Sequence, residues 1–220
     1  MTIVKKQMTL HHAVSVIGGF VGAYTIVNHC EIFANAQTGN LFRFVIGAFR
    51  GDFESAAYCV LAFLVYAAGN AFYVIARKYF RVSMKIISFM VTAAAFAVTG
   101  AVCRTENDMI AVLPIVFMAP VQWNAFKSAG GNSSSTIFSS NNVRQAVMLL
   151  TSGIMNKDKT ALKNARFYWA TLLFFHVGAA AGVLLSLTFG VYSIWFGYIF
   201  LAAAAAAYYR YETAKINAFK

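Results

Sequence analysis

Charged residues are scarce in this chain of 220 residues: they make up 11% of it, against 60% hydrophobic residues, and the mean hydropathy is +0.64. A soluble domain is far less apolar, so the composition indicates a membrane protein. Acidic residues are the scarcest charge, with seven Asp and Glu against 18 Lys and Arg. The net charge of +11 does not predict nucleic-acid binding, because the basic residues lie in hydrophilic gaps and at the termini rather than on one face.

Cysteine is also rare, and the usual catalytic patterns are missing. Cys30, Cys59 and Cys103 are far apart and lack metal or redox spacing, so we predict neither a disulfide framework nor a metal site. The sequence contains no Ser-x-x-Lys, Gly-x-Ser-x-Gly or nucleotide-binding pattern. We therefore expect a protein that is not an enzyme and that carries no cofactor.

Apolar runs, by contrast, are long and numerous. Hydropathy places them at residues 12–30, 37–50, 55–77, 84–103, 108–128, 140–155, 165–187 and 191–210. A helix needs about 20 residues to cross the ~30 Å hydrocarbon layer. At 1.5 Å per residue, the segments at 37–50 and 140–155 reach only about 21 to 24 Å, so both are too short to span.

Basic residues predict the orientation. If only the six long segments cross, 14 of the 18 Lys and Arg residues fall on one side. These are Lys5, Lys6, Arg77, Lys78, Arg81, Lys85, Lys127, Lys157, Lys159, Lys163, Arg166, Arg210, Lys215 and Lys220. Because basic loops stay in the cytoplasm, we predict an all-α integral membrane protein with six spans, two short re-entrant helices and both termini in the cytoplasm.

The six-span plan divides into two similar halves, residues 1–103 and 104–220, within a single membrane domain. Each half has three spans and one short segment, and an odd number of spans makes the second half inverted. An offset of 102 residues pairs Asn40 with Asn142 and Gly51 with Gly153. Inverted repeats with broken helices are a recurrent plan of transporters, whose solute sites lie where the half-helices meet.

Small polar residues precede and open both short segments, and we predict the solute site there. The predicted binding residues are Asn35, Gln37, Thr38, Gly39, Asn40, Arg43, Gln122, Asn124, Ser139, Ser140, Asn141, Asn142 and Arg144. Tyr24, Asn70 and His176 are predicted to line the cavity. Free N–H groups at a helix N-terminus can bind an anion or a polar solute; alternatively, Ser, Thr or Asn side chains there only cap the helix.

Arg43 and Arg144 each follow the start of a short helix. A charge at membrane depth suggests function, here an anionic solute path. Alternatively, each side chain extends to the membrane surface. Asn70 and Asn124 likewise serve either a cavity or a hydrogen bond between helices.

Three motifs carry a resemblance to a known family: Gly18-Gly19-Phe20-Val21-Gly22-Ala23-Tyr24, Phe33-Ala34-Asn35-Ala36-Gln37-Thr38-Gly39-Asn40-Leu41 and Gln122-Trp123-Asn124-Ala125. Over nearly its whole length the sequence resembles the YoaK-like family of bacterial multi-pass membrane proteins, a domain of unknown function. The resemblance implies a six-span protein of the bacterial inner membrane. This chain departs from the family at Ser140-Asn141-Asn142, and at Gly22, where the family commonly carries Asp.

The expected function is therefore a carrier or channel-like facilitator for a small polar or anionic solute. The alternative is a nontransporting membrane sensor, scaffold or lipid-binding protein. The partners expected are the lipid bilayer and the solute. Gly178 and Gly182 form a Gly-x-x-x-Gly pattern, which serves either a contact inside the chain or a homodimer.

Overall fold

The structure is a computed structural model that describes residues 2–29, 32–102 and 109–218. Over these residues the fold is all-α apart from one hairpin of two strands, each two residues long. The helices are α1 Ile3–Asn28, α2 Gln37–Arg50, α3 Phe53–Tyr79, α4 Met84–Val102, α5 Leu113–Ala125, α6 Ser140–Met155, α7 Lys159–Phe189 and α8 Gly197–Asn217. The 3-10 turn Ile110–Val112 leads into α5, and a second, Gly190–Phe196, joins α7 to α8.

Four helical segments are long and apolar enough to cross a membrane by length and composition: Ile3–Asn28, Phe53–Tyr79, Met84–Val102 and Lys159–Asn217. The last contains both α7 and α8 and is 59 residues long. Gly190 ends α7 with φ 53° and ψ −138°, a backbone conformation open mainly to glycine. Ile110–Ala125 is a shorter apolar segment.

The outside of the fold is apolar and its centre is partly polar. Large apolar side chains such as Phe42, Phe49 and Leu187 are exposed, Phe49 to 90%. Helix α1 lies at the centre: 72% of its most apolar window is buried, against 22% in α3. The buried polar side chains of α1 include His11 and Asn28. This distribution of polarity is that of a protein with apolar surroundings.

The helices pack in corresponding pairs. Helix α1 packs against α7 and α8, and α5 packs against α3 and α4. Each short helix packs on the long helix that follows it, α2 on α3 and α6 on α7. A Cβ atom at Gly178 would collide with the carbonyl of Val16, and one at Gly182 would lie 2.6 Å from the carbonyl oxygen of Phe20. The Gly-x-x-x-Gly pattern therefore serves the α1–α7 contact inside the chain.

The element bounds agree with the hydropathy pattern at the short helices and at the start of α4, and they differ at the other helices. Helices α2 and α6 begin and end at the predicted residues. Helix α1 begins at Ile3 rather than at residue 12, because the Thr2 hydroxyl caps it by accepting from the Lys5 N–H at 3.4 Å. The apolar run predicted at 108–128 gives a helix that ends at Ala125. Residue 108 lies outside the described residues.

Candidate functional site

The two polar segments that precede the short helices meet on one residue of α1, Gly18. Asn35, ahead of α2, donates from Nδ2 to the Gly18 carbonyl at 2.7 Å. Thr136, ahead of α6, packs its carbonyl against the Gly18 Cα so closely that a Cβ atom there would collide with it. Gly18 lies near the middle of the 26-residue α1. The two segments therefore converge near the middle of the central helix. We call this point, where Asn35 and Thr136 contact Gly18, the convergence.

Asn142, in the first turn of α6, ties the second polar segment to the helix. Its Nδ2 donates to the Ser135 carbonyl at 2.7 Å, and its Oδ1 accepts from the Ser134 hydroxyl at 2.9 Å and the Ser135 N–H at 3.3 Å. The side chain is buried. Because a carbonyl only accepts, these bonds determine which amide atom is nitrogen.

His11 extends this network to α1. Its Nε2 lies 3.0 Å from the Ser134 hydroxyl oxygen. The hydroxyl already donates its hydrogen to Asn142, so Nε2 must donate to Ser134. Nε2 of His11 therefore carries a proton. His11 was not predicted as a site residue because it lies just before the apolar run at 12–30. The adjacent His11-His12 pair is a signal in the sequence that could have identified it.

Asn40 makes the corresponding bond in the first half. Its Nδ2 donates to the Phe33 carbonyl at 3.4 Å and lies 3.4 Å from Gln37 Oε1. In both short helices, an asparagine thus bonds the carbonyl seven residues before it. The bonds of Asn142 are shorter, so the second segment is held more firmly.

Neither short helix has a side-chain cap among the described residues. The N-cap positions are Ala36 for α2 and Ser139 for α6, and neither side chain bonds the helix. By contrast, α3 and α7 are capped by the carboxylates of Asp52 and Asp158. The first N–H groups of α2 and α6 therefore receive no bond from these N-cap side chains. The amides of Asn40 and Asn142 instead bond the backbone of the segments that precede the two helices, so the alternative use of these side chains, to satisfy backbone groups, stays open.

Two buried amide oxygens at the convergence meet no donor among the described residues: Asn35 Oδ1 and Gln122 Oε1. The Gln122 Nε2 donates to the Val14 carbonyl at 3.4 Å and the Thr136 hydroxyl at 3.3 Å. The Asn35 and Gln122 side chains are 0% and 1% exposed. Leaving a buried acceptor without a donor costs free energy. A ligand that donates hydrogen bonds to these two oxygens would therefore recover that cost.

Other predicted residues lie elsewhere. Asn124 donates to Asn70 Oδ1 at 2.9 Å and to the Pro120 carbonyl at 2.8 Å, so the pair joins α5 to α3. Tyr24 is buried in the core, where its hydroxyl donates to the Val191 carbonyl at 3.0 Å. These three side chains hold helices together.

The two arginines of the short helices differ in exposure, with Arg43 half-buried on α2 and Arg144 exposed on α6. Arg144 is exposed and bonds Asn141 Oδ1 at 3.2 Å. Arg43 lines a groove of about 290 Å³ together with Arg50 and Asp52. Thr38, Gly39 and Ser140 are exposed as well.

His176 lies on the exposed side of α7 and donates from Nδ1 to the Leu172 carbonyl at 2.7 Å. It borders a groove of about 280 Å³ between α1 and α7 that also touches Gly22 and Phe33. This groove comes close to the convergence, because a Cβ atom at Gly22 would lie 2.8 Å from Asn35 Nδ2.

Asp52 at the start of α3 makes stability depend on pH. Hydrogen bonds from the Ser55 hydroxyl and N–H, helped by Arg43, hold the pKa of this carboxyl below its ordinary value of 3.8. A lowered folded-state pKa adds stability above the ordinary value, and that stability is lost as the pH falls through the folded pKa. We expect Asp52→Asn to lower the melting temperature at neutral pH, and the difference from the native protein to close below pH 3.8. If the difference in melting temperature between Asp52→Asn and the native protein stayed constant from neutral pH to below pH 3.8, the lowered pKa of Asp52 would be contradicted.

The comparisons with known proteins name a family and no activity. The sequence profile of the family described as "Protein of unknown function (DUF1275)" matches residues 10–207. No curated protein and no solved structure matches the chain. The chain belongs to this family of unknown function; the YoaK-like name is not confirmed by a named homologue and stays a prediction.

Proposed function

We propose that this member of the DUF1275 family is a carrier or channel-like facilitator for a small polar or anionic solute, and not an enzyme. It spans the bacterial inner membrane six times with both termini in the cytoplasm. Helices α2 and α6 re-enter the bilayer from opposite faces. The solute site lies at the N-termini of these two helices.

Support for an inverted repeat comes from the helix contacts. When 102 is added to each residue number of the first half, α1 corresponds to α5, α2 to α6, α3 to α7 and α4 to α8. Under this exchange the pair α1–α7 becomes α5–α3, α2–α3 becomes α6–α7, and α1–α8 becomes α5–α4, all of which pack together. The back-bonds of Asn40 and Asn142 also correspond, since the offset pairs Phe33 with Ser135.

One observation carries the proposal: both polar segments contact the middle of α1 at the same residue, Gly18. Irregular backbone at membrane depth is tolerated where it is buried in protein or lines a wet cavity. Each short helix begins beside this point without a side-chain cap. Broken helices whose ends meet at mid-membrane are how many transporters build their solute sites.

The experiment is ligand-dependent thermal stability, measured on the purified protein with a panel of anions, cations, amino acids, nucleobases and lipids. A ligand at about 100 Kd adds ~2.7 kcal/mol to the free energy of unfolding. We expect a soluble compound to raise the melting temperature, and the same compound to cross proteoliposomes. Asn40→Ala should abolish both effects, because it frees the start of α2 from the Phe33 carbonyl.

The matched control is Asn156→Ala, which removes an exposed amide at the end of α6 and should leave both effects intact. Stabilisation by lipids alone, equal in Asn40→Ala and the native protein, would reject the transport proposal.

That result would favour the second candidate function, a nontransporting sensor, scaffold or lipid-binding protein. A groove of about 440 Å³ between α1, α7 and α8 supports this candidate. Its walls include Val16, Phe174 and Phe200 and are largely apolar, as an acyl chain requires. Tight retention of a lipid through purification, without flux of any soluble compound, is the expected result for this candidate.

A further inference from the structure

The orientation of two buried amides at the convergence is determined by chemistry. Asn35 faces the Gly18 carbonyl and Gln122 faces the Val14 carbonyl. A carbonyl accepts only, so each amide must turn its nitrogen toward α1. The oxygens, Asn35 Oδ1 and Gln122 Oε1, then point away from these bonds. Neither oxygen meets a donor in the described part of the chain.

The same region also offers donors. Neither Ala36 nor Ser139 caps its helix, so the first N–H groups of α2 and α6 lack side-chain partners. Asn35 immediately precedes the N-cap of α2, and Thr136, a partner of Gln122, lies shortly before the N-cap of α6. Donors at the helix starts therefore lie two residues after Asn35 and four residues after Thr136 along the chain.

Within the described part of the chain, the charged groups near the convergence favour neither an anion nor a cation. The described carboxylates, Asp52, Glu54, Asp158 and Glu212, lie at helix ends or on exposed surface, and the positive ends of two helix dipoles disfavour a cation. An anion would meet two amide oxygens that it cannot satisfy. Arg43 and Arg144 do not compensate, since one lines the groove with Arg50 and Asp52 and the other is exposed.

We infer that the solute is a small neutral molecule that both donates and accepts hydrogen bonds, as amides, urea-like compounds and polyols do, and that Asn35 Oδ1 and Gln122 Oε1 accept its donors. This inference rests on the proposed transport function and narrows its solute class. Amide oxygens built to receive N–H or O–H groups discriminate strongly against analogues that lack them.

The test uses three planar probes of similar size. Urea is neutral and has both donors and an acceptor, guanidinium is cationic and has donors only, and nitrate is anionic and has acceptors only. Uptake into proteoliposomes is measured for each, with a potassium and valinomycin clamp so that charge movement does not limit the ions. We expect urea uptake well above that of protein-free vesicles and above that of both ions.

Two variants locate the effect. Gln122→Met keeps the side-chain length without the amide and should reduce urea uptake at least about tenfold, the cost of one lost buried hydrogen bond. Gln122→Glu keeps an acceptor and adds negative charge, so it should shift the ratio of uptake from urea toward guanidinium. Asn156→Ala is the control and should leave all three rates unchanged.

The outcomes separate the two proposals. Uptake of nitrate or guanidinium without urea overturns the neutral-solute inference and leaves a transporter. No uptake of any probe also overturns the inference, and the ligand panel with Asn40→Ala then decides whether transport stands. If Gln122→Met fails to fold, the uptake ratio in Gln122→Glu decides, and an unchanged ratio overturns the assigned role of Gln122.

Discussion

Gly18→Ala is expected to destabilise the protein by about 3 kcal/mol, the upper range for overpacking a rigid contact. The added methyl group collides with the backbone carbonyl of Thr136 and comes within 3.1 Å of the Ile137 Cα. Backbone cannot rotate away as a side chain can, so the segment before α6 must move. Its displacement should separate Thr136 from Gln122 and abolish the proposed transport. Thermal unfolding and solute flux of the same preparation measure the two effects.

Gly39→Ala is the matched control. Gly39 is also in a helix and beside a polar segment, yet a Cβ atom there meets nothing within 4 Å. We expect a change within about 0.5 kcal/mol. Equal melting temperatures for Gly18→Ala and Gly39→Ala would mean that the segment before α6 does not rest on α1.

Asn142→Ala should cost about 2 to 4 kcal/mol, because it leaves the buried N–H and carbonyl of Ser135 and the hydroxyl of Ser134 without their partner. It also frees the Ser134 hydroxyl to donate to His11, which removes the constraint on the His11 tautomer. The measurement is thermal unfolding, followed by the NMR shifts of labelled histidine to identify the protonated nitrogen.

Asn141→Ala provides the comparison at the next residue. Within the described residues, the Asn141 side chain bonds only the exposed Arg144, so we expect a loss within about 0.5 kcal/mol. The loss of stability in Asn40→Ala should lie between those of Asn141→Ala and Asn142→Ala, since the bonds of Asn40 are 3.4 Å long. If Asn141→Ala cost as much as Asn142→Ala, the network described for Asn142 would not be what holds the segment.

Much of the helical plan could be read from hydropathy. Apolar runs bounded by polar residues place α2 and α6 at their observed ends, because backbone in an apolar environment must bond internally and does so as helix. The hairpin Ser128–Ala129 and Asn132–Ser133 was not anticipated. It depends on Gly130 and Gly131, whose φ values of 58° and 84° allow the turn.

The sequence predicted which types of residue form the candidate site more accurately than it predicted where each residue lies. Asn35, Gln122 and Asn142 were predicted together with Asn70 and Asn124, since all five are amides in or beside the apolar segments. The structure brings the first three to the segments that meet α1, and puts the other two in a clamp between α3 and α5. Composition cannot distinguish these uses, because an amide is equally suited to bond a helix or a solute.

The sequence by itself determined the apolar composition, the two short helices and their polar leading segments, since hydrophobic period and segment length are local properties of the chain. Only the tertiary structure decided that both segments contact Gly18. It also decided that the amide nitrogens of Asn35 and Gln122 face α1 and that their oxygens do not. Those facts depend on contacts between residues far apart along the chain, 17 positions for Asn35 and Gly18 and 108 for Gln122 and Val14. Hydropathy carries no information about which carbonyl a distant amide will meet.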